Sequence, residues 1–336
     1  MRPTVGVDVG GTKLLGLVLD ADDPTAPARA AVRRPTPRGA DALVGAVVEV
    51  VRAVAAEAGL GDDPGGNGGG GSVAAVGLGL PGLIDHEGVL RMGPNLPQVV
   101  DFDVDHLLAG ALGLAVHVDN DANCAAWAEH VRGASRGRAH SLLVTLGTGI
   151  GAGIVTDGAL YRGAHGMAGE PGHMIVDPGG PRCPCGQRGC WERYASGSGL
   201  GFLAREAALA GRADAVVDLA GGDPEAVRGE HVTAAARAGD DDATAVLATF
   251  GWWVALGVAN LVNVLDPEVV VLGGGLVGEA DLFLDATRSA YDDLVLGHGH
   301  RPPVPIVAAA TGEQAGALGA ALLAAERHWG HQDPTR

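Results

Sequence analysis

Three short segments carry residues whose types and spacing could do chemistry. Asp8-Val-Gly-Gly-Thr-Lys13 places a carboxylate and a lysine on either side of a glycine turn. Val118-Asp-Asn-Asp-Ala-Asn123 clusters acids and amides, and Cys183-Pro-Cys-Gly-Gln-Arg-Gly-Cys190 gives three thiols within eight positions. These patterns predict, in turn, phosphate binding, proton abstraction and metal binding.

The first glycine turn suits an anionic ligand. Glycine lets the backbone approach a ligand closely, and successive backbone N–H groups can form a nest for phosphate oxygens. Thr12 adds a hydroxyl donor, and Lys13 is the only lysine in the chain. Asp8 could hold Mg²⁺ through water. Taken alone, the segment fits an ordinary hairpin turn equally well.

Two later segments repeat this arrangement, and three such turns argue for function more strongly than one. Leu146-Gly-Thr-Gly-Ile-Gly151 follows a predicted strand, and Gly273-Gly-Gly275 follows another and suits a nucleotide base or ribose. Neither the Walker A motif nor the dinucleotide glycine pattern fits, which excludes a dehydrogenase. The predicted nucleotide-binding residues are Asp8, Gly10, Gly11, Thr12, Lys13, Gly147, Thr148, Gly149, Gly151, Gly273, Gly274 and Gly275.

The elements that must position these residues form an alternating pattern. Strands are predicted at 4–9, 14–19, 73–80, 114–118, 141–146, 151–156 and 269–272, and helices at 40–58, 121–131, in most of 198–265, and at 315–325. Because a strand–glycine turn–strand unit occurs twice, we expect two similar α/β domains facing each other across a cleft. The expected domains are residues 1–118, with a C-terminal helix at about 313–328 packing back on them, and residues 119–312, which carry the metal site.

Composition narrows the class of protein. The 336 residues carry a formal net charge of −17, which opposes binding to nucleic acid or to an anionic membrane surface. No signal peptide is recognised, and no apolar run is expected to approach the roughly 20 residues of a membrane helix, so a cytoplasmic protein is expected. The glycine-rich segment Gly59–Ser72 is predicted to be a flexible surface loop.

The crowded cysteines predict a metal site rather than disulfides in an intracellular chain. A closed zinc site takes four nitrogen or sulfur ligands, so the three thiols require a fourth ligand. His173, ten residues before Cys183, and His165 both remain candidates. The remaining cysteine, Cys124, receives no role.

These motifs together resemble a known group of enzymes. The Asp8 turn, the second strand–glycine unit and the late glycine triplet resemble the α/β, two-domain actin-like ATPase (ribonuclease H-like) fold of sugar kinases, along nearly the whole chain. Glu170-Pro-Gly-His173, followed by the cysteine cluster and Glu192, resembles the ROK family of repressors and sugar kinases, and most closely its bacterial glucose kinases.

The resemblance implies roles for individual residues. It implies zinc binding by His173, Cys183, Cys185 and Cys190, and sugar contacts from Asn95, Asn120, Asp121, Glu170, His173 and Glu192. Judged from the segment alone, Asn120 and Asp121 are more simply helix caps. The Asn-Asp-Ala-Asn motif of the family instead implies that Asp121 is the general base. One departure is Pro171, whose fixed φ could shift Glu170.

The expected function is therefore ATP-dependent phosphorylation of glucose, with Mg²⁺ and a structural Zn²⁺. Alternatives are a kinase for N-acetylmannosamine, N-acetylglucosamine or fructose, and a sugar-responsive repressor. The repressor is disfavoured because the Asp8 motif begins so early and because the chain is acidic. Polyphosphate is a second possible donor, disfavoured by the cysteine cluster. The family likeness also suggests a homodimer or homotetramer.

Overall fold

A computed structural model describes residues 3–20, 22–23, 25–61, 72–93 and 100–330. The chain divides into two compact units. Unit 1 comprises residues 1–139, 153–169 and 310–336, and unit 2 comprises residues 140–152 and 170–309. Most of the predicted loop Gly59–Ser72 lies outside the described residues, as does Asn95. The predicted domain division after residue 118 stays a prediction.

The elements alternate between strands and helices, as the sequence pattern predicts. The strands are β1 Pro3–Val9, β2 Lys13–Asp20, β3 Ala30–Pro35, β4 Ala75–Leu80, β5 Leu83–Ile84, β6 Val89–Met92, β7 Val100–Asp103, β8 Ala115–Asn120, β9 Ser141–Leu146, β10 Ile150–Thr156, β11 Ala159–Leu160, β12 Val269–Gly273 and β13 Ile306–Ala308. The helices are α1 Ala40–Glu57, α2 Val104–Leu112, α3 Asp121–Arg132, α4 Glu192–Ala195, α5 Gly197–Leu209, α6 Asp214–Leu219, α7 Gly229–Arg237, α8 Asp241–Leu265, α9 Leu284–Leu294 and α10 Ala315–Gly330.

The main sheet of unit 1 has the strand order β3-β2-β1-β4-β8. The first hairpin is antiparallel, with Val9 opposite Leu14, whereas β1, β4 and β8 run parallel. Parallel strands that lie within a sheet are covered on both faces, and their sequences here are almost continuously apolar. The carboxyl ends of β1, β4 and β8 therefore lie together at one edge, which is where Asp8 and Asn120 are placed.

Glycines on two of these strands allow helix α10 to pack directly on the sheet. A Cβ atom on Gly6 would lie 1.9 Å from the carbonyl oxygen of Ala317, and one on Gly77 would lie 1.9 Å from that of Ala320. Only glycine fits at such close approach. The C-terminal helix therefore packs against β1 and β4, and its first turn lies close to Asp8.

The second sheet has the order β11-β10-β9-β12-β13. In unit 2, β9, β12 and β13 run parallel, with Gly273 opposite Thr145. The predicted repetition of strand, glycine turn and strand is therefore present, as β1 to β2 and as β9 to β10. A third, small sheet of order β5-β6-β7 was not predicted.

Helix α8 differs from the sequence expectation. By length and composition alone α8 could cross a membrane, so the prediction that no apolar run approaches the length of a membrane helix was wrong. Its charged residues are confined to the first turn, at Asp241 and Asp242. More than half of its most apolar window is buried, and the helix packs against α4, α5, α7 and α9. This placement is that of a core helix.

Candidate active site

The first glycine turn joins β1 to β2 in unit 1. The backbone N–H of Gly10 donates to the carbonyl oxygen of Lys13 at 2.9 Å, which closes the turn. Thr36 ties the turn to the end of β3, because its N–H donates to the oxygen of Thr12 and its hydroxyl to the oxygen of Gly10. Two predicted phosphate-binding residues, Gly11 and Thr12, are exposed. The turn is thus anchored through its carbonyl groups, as a backbone anion site requires.

A second feature of this turn is the pairing of its lysine. The Nζ atom of Lys13 lies 3.0 Å from Glu313 Oε2, and Arg33 reaches the same oxygen at 3.3 Å. All three side chains are more than half exposed, so the pairs add little stability. An exposed cation held this loosely can exchange its partner for a phosphate oxygen.

Asp8 lies at the end of β1 and against the first turn of α10. A Cβ atom on Gly316 would lie 2.5 Å from Asp8 Cγ, so this position requires glycine. Burial and the nearby charge of Asp121 raise the pKa of Asp8 to about 7, while Lys13 acts in the opposite direction. A divalent cation bound here would offset the negative charges of Asp8 and Asp121, so Asp8 is suited to hold one.

Asp121 begins α3, directly after β8. Asn120 is the N-cap, because its side-chain oxygen accepts from the N–H of Ala122 and of Asn123. Its amide also donates to the carbonyl oxygen of Gly82 at 3.1 Å. Asp121 Oδ1 accepts from Ala122 N at 2.9 Å, and burial raises the pKa of the Asp121 carboxyl. The capping role thus belongs chiefly to Asn120, which leaves Asp121 suited to act as a base.

The second glycine turn joins β9 to β10, and its carbonyl oxygens are bound by the start of α5. Gly147 accepts from the N–H of Gly197 at 2.7 Å, and Thr148 accepts from the hydroxyl of Ser198 at 2.8 Å. The N–H of Gly147 in turn donates to Gly149. These hydrogen bonds fix the second glycine turn against the start of α5.

The remaining glycines predicted to bind nucleotide support this turn. The N–H of Gly151 donates to the hydroxyl of Thr145 at 3.1 Å. Gly274 has a φ of 84°, and a Cβ there would lie 2.7 Å from the backbone of Leu146. Gly273 and Gly275 lie on either side of Gly274, at the end of β12 and the start of the following turn. Packing against Leu146 therefore requires glycine at position 274, independently of any role in binding nucleotide.

His173 and the three clustered cysteines come together in unit 2. Their ligand atoms all lie within 4.8 Å of one another, and the group contains His173 rather than its competitor His165. Cys185 Sγ lies 3.6 Å from Cys190 Sγ, and Cys183 Sγ lies 3.9 Å from His173 Nδ1. Bonds of about 2.3 Å from a tetrahedral zinc would place its ligand atoms at about this separation. The residues therefore fit a closed zinc site.

Electrostatics at this group also favour a cation. Burial, followed by the hydrogen bond to Glu192, raises the pKa of the Cys183 thiol. A thiol in these surroundings ionises readily only when a metal compensates the thiolate. Cys124 differs, because it is fully buried in unit 1 among acidic side chains and, among the residues that the structure describes, is not part of a potential metal-binding group.

Glu192 connects the cluster of His173 and the three cysteines to the second glycine turn. Its Oε1 accepts from the Cys183 thiol at 2.9 Å and lies 3.8 Å from His173 Nδ1. Its Oε2 would lie only 2.6 Å from a Cβ on Gly149. Glu170 lies just ahead of the short turn Pro171–His173, as its N-cap. The structure thus brings His173 and Glu192 together, and Glu170 precedes His173 on the same segment.

Several residues that support the site were missed in the sequence. Asp119 is buried and binds Arg162, and Glu129 is buried and binds the backbone ahead of α10. Tyr194, on α4, donates to Asp177 at 2.6 Å, and the N–H of Asp177 donates to the oxygen of Gly189 at 3.3 Å, so Asp177 links α4 to the cysteine loop, Cys183–Cys190. The only signal available for Asp119 was its place next to Asn120, and the partners are too distant in sequence to be inferred.

Comparison with known proteins agrees with this geometry. The family model described as "ROK family" matches residues 4–327. The glucokinase of Streptomyces coelicolor is 36% identical over 329 residues, covering 97% of this chain and 98% of that protein. An N-acetylmannosamine kinase of Citrobacter koseri is 33% identical and covers 96% of this chain and 98% of that protein.

A solved structure supports the same assignment. The crystal structure of a ROK family glucokinase from Streptomyces griseus, in complex with glucose and AMPPNP, is 35% identical and has a TM-score of 0.83. The match covers 96% of this chain and 99% of that one. The predicted fold, that of the actin-like ATPase sugar kinases, is confirmed, and the chain belongs to the ROK family.

Proposed function

We propose that this chain is a glucokinase, which transfers the γ-phosphoryl group of ATP to the 6-hydroxyl of glucose. The observation that carries the proposal is similarity along nearly the full length to a glucokinase, and it is supported by a partly buried carboxylate, Asp121, at the start of α3. The solved relative that holds glucose and AMPPNP supports both substrates.

In the proposed mechanism Asp121 accepts the proton of the 6-hydroxyl as its oxygen attacks the γ-phosphorus atom. The bond to the β-γ bridging oxygen breaks, and ADP leaves with that oxygen. Because burial raises the pKa of Asp121, its carboxylate is a stronger base than an exposed one. The backbone N–H groups of the two glycine turns, with Lys13 and Thr12, are proposed to hold the phosphates.

The sugar is proposed to bind through Asn95, Asn120, Asp121, Glu170, His173 and Glu192. Since Nδ1 of His173 faces the cysteines, its Nε2 is the atom proposed to meet a sugar hydroxyl. Structural Zn²⁺ would fix that ring and the cysteine loop. Mg²⁺, which Asp8 is proposed to hold through water, would neutralise charge on the phosphates.

A coupled assay of ADP release, run over a panel of sugars, tests the proposal. With ATP, kcat/KM should be highest for glucose, and with polyphosphate turnover should be much slower. A higher value for N-acetylmannosamine would favour the second candidate, which the relative from Citrobacter koseri supports. Binding of sugar with no ADP release from any sugar would instead favour a repressor-like sensor.

Location and assembly remain part of the proposal. A cytoplasmic protein is proposed because its cysteines are free thiols in an arrangement suited to metal, which a reducing compartment preserves. A homodimer or homotetramer is proposed from the family likeness. Light scattering of the purified chain would decide between them, and a monomer at assay concentrations would refute both.

A further inference from the structure

Asp119 is a charged residue buried beside the proposed base. It lies at the end of β8, two residues before Asp121, and only 7% of its surface is exposed. Its Oδ1 accepts from the backbone N–H of Asn120 at 2.9 Å and from the side-chain amide of Asn123 at 3.0 Å. Asp119 therefore binds the residue before Asp121 and the residue two positions after it.

The orientation of Asn123 depends on this contact. The residue is 1% exposed, and its amide oxygen is among the buried polar atoms of the described residues that have no hydrogen-bond partner. Its amide nitrogen donates to Asp119. Since Asn120 is the N-cap of α3 and Asn123 lies in its first turn, the Asp119 carboxylate fixes the start of the helix, and with it the direction in which Asp121 leaves the backbone.

Arg162 holds the Asp119 carboxylate in place. The Nε and Nη2 atoms of Arg162 lie 2.8 Å and 2.7 Å from Asp119 Oδ2. Arg327, from the last turns of α10, lies farther away, at 3.6 Å. Burying a carboxylate is strongly unfavourable unless a cation pairs with it, so the two close contacts from Arg162 hold the Asp119 carboxylate in its buried position, directed at α3.

We propose that Arg162 is a positioning residue for phosphoryl transfer, acting through Asp119 on the turn that carries Asp121. This inference rests on the proposed role of Asp121 as the base. Arg162 lies 43 positions after Asp119, on the segment that follows β11. Loss of the pair would leave the substrate-binding residues of unit 2 unchanged and would misplace the base by a fraction of an ångström to about 1 Å. Such a displacement can cost up to about 100-fold in rate.

The test compares Arg162→Met with a matched control, Arg132→Met, which acts at the other end of α3. Arg132 lies in the last turn of α3, and its Nη2 donates to the backbone oxygens of Thr25 and Ala26. Arg132→Met also removes an arginine from unit 1 and its hydrogen bonds, but it leaves the first turn of α3 untouched. We expect Arg162→Met to lower kcat by about 10- to 100-fold, with KM for glucose and ATP within about threefold. Arg132→Met should keep kcat within about twofold.

The conservative variant separates positioning from stability. Arg162→Lys keeps the cation with fewer donors, so kcat should lie between those of the wild type and Arg162→Met. If Arg162→Met does not fold, the same comparison is made between Arg162→Lys and Arg132→Lys. A several-fold loss of kcat is then expected in Arg162→Lys and not in Arg132→Lys. Unchanged kcat in the Arg162 variants, with the wild type active on glucose, overturns this inference alone. An inactive wild type overturns the proposed function instead.

Discussion

Gly149→Ala is a small change whose effect can be worked out from the structure. The added Cβ would lie 2.6 Å from Glu192 Oε2, whereas ordinary contacts are about 3.4–4 Å. The backbone of Gly149 is not in the left-handed region, so alanine is tolerated without backbone strain. Oε2 is at the end of a flexible side chain. We therefore expect the Glu192 carboxylate to move by roughly 1 Å, while strands β9 and β10 stay in place.

The expected result is weaker glucose binding. Loss of one charged hydrogen bond to a sugar hydroxyl costs about 1.5–3 kcal/mol, so Kd for glucose should rise by about 10- to 100-fold. Calorimetric titration with glucose and no nucleotide is the assay, since it excludes any effect of the methyl group on ATP. Gly278→Ala, where no atom lies near the added Cβ, is the control and should bind glucose normally.

A double-mutant cycle shows whether the effect passes through Glu192. In a Glu192→Gln background, Gly149→Ala should add little further loss of affinity, because the charged hydrogen bond between residue 192 and the sugar hydroxyl is already lost. An unchanged Kd in Gly149→Ala, or losses that add fully in the double variant, would refute the placement of Glu192 between the turn and the sugar.

Three further predictions concern the metal, pH and the anchoring of α3. Cys185→Ser should lower bound zinc, measured by metal analysis, to well below one ion per chain and should raise KM for glucose; full zinc content would argue against the four-ligand site. Because the pKa of Asp8 is about 7 in the folded chain and 3.8 in the unfolded one, only the folded chain keeps this proton between about pH 4 and 7. The contribution of Asp8 to the free energy of unfolding therefore falls as pH rises through that range. Without nucleotide or Mg²⁺, Asp8→Asn should therefore gain about 2–4 °C in Tm over the wild type from pH 5 to pH 8, and a constant difference would contradict the shift. Glu129 is fully buried and accepts from the N–H groups of Ala310 and Thr311 at 2.7–3.1 Å, so Glu129→Ala should lose about 3–5 kcal/mol in the free energy of unfolding by denaturant, and a loss under 1 kcal/mol would show that these donors find other partners.

The parts of the site that were predicted are those whose signal is local. The three cysteines lie within eight residues, so a metal cluster could be inferred from spacing alone. The glycine turns follow apolar strands directly, and their repetition indicated the α/β architecture. Spacing alone left His165 and His173 open as the fourth ligand; the family resemblance selected His173, and it is His173 that lies with the three cysteines.

The parts that were missed depend on contacts between distant segments. Arg162 is 43 residues from Asp119, and Thr311 is 182 residues from Glu129, so no local pattern could pair them. Helix α8 was misjudged for a different reason: its apolar surface faces several helices at once, which makes a core helix resemble a membrane span in composition. Nothing in the sequence indicates why glycine is needed at positions 6 and 77; the close packing of α10 on β1 and β4 explains both.

The central claim is that Asp121 takes the proton from the sugar hydroxyl. The most direct test is steady-state and binding measurement on Asp121→Asn, which keeps the shape of the side chain and its bond from Ala122. The account predicts a kcat lower by about 10²–10⁴-fold, with folding and glucose affinity close to those of the wild type. Turnover within a few-fold of the wild type would contradict it.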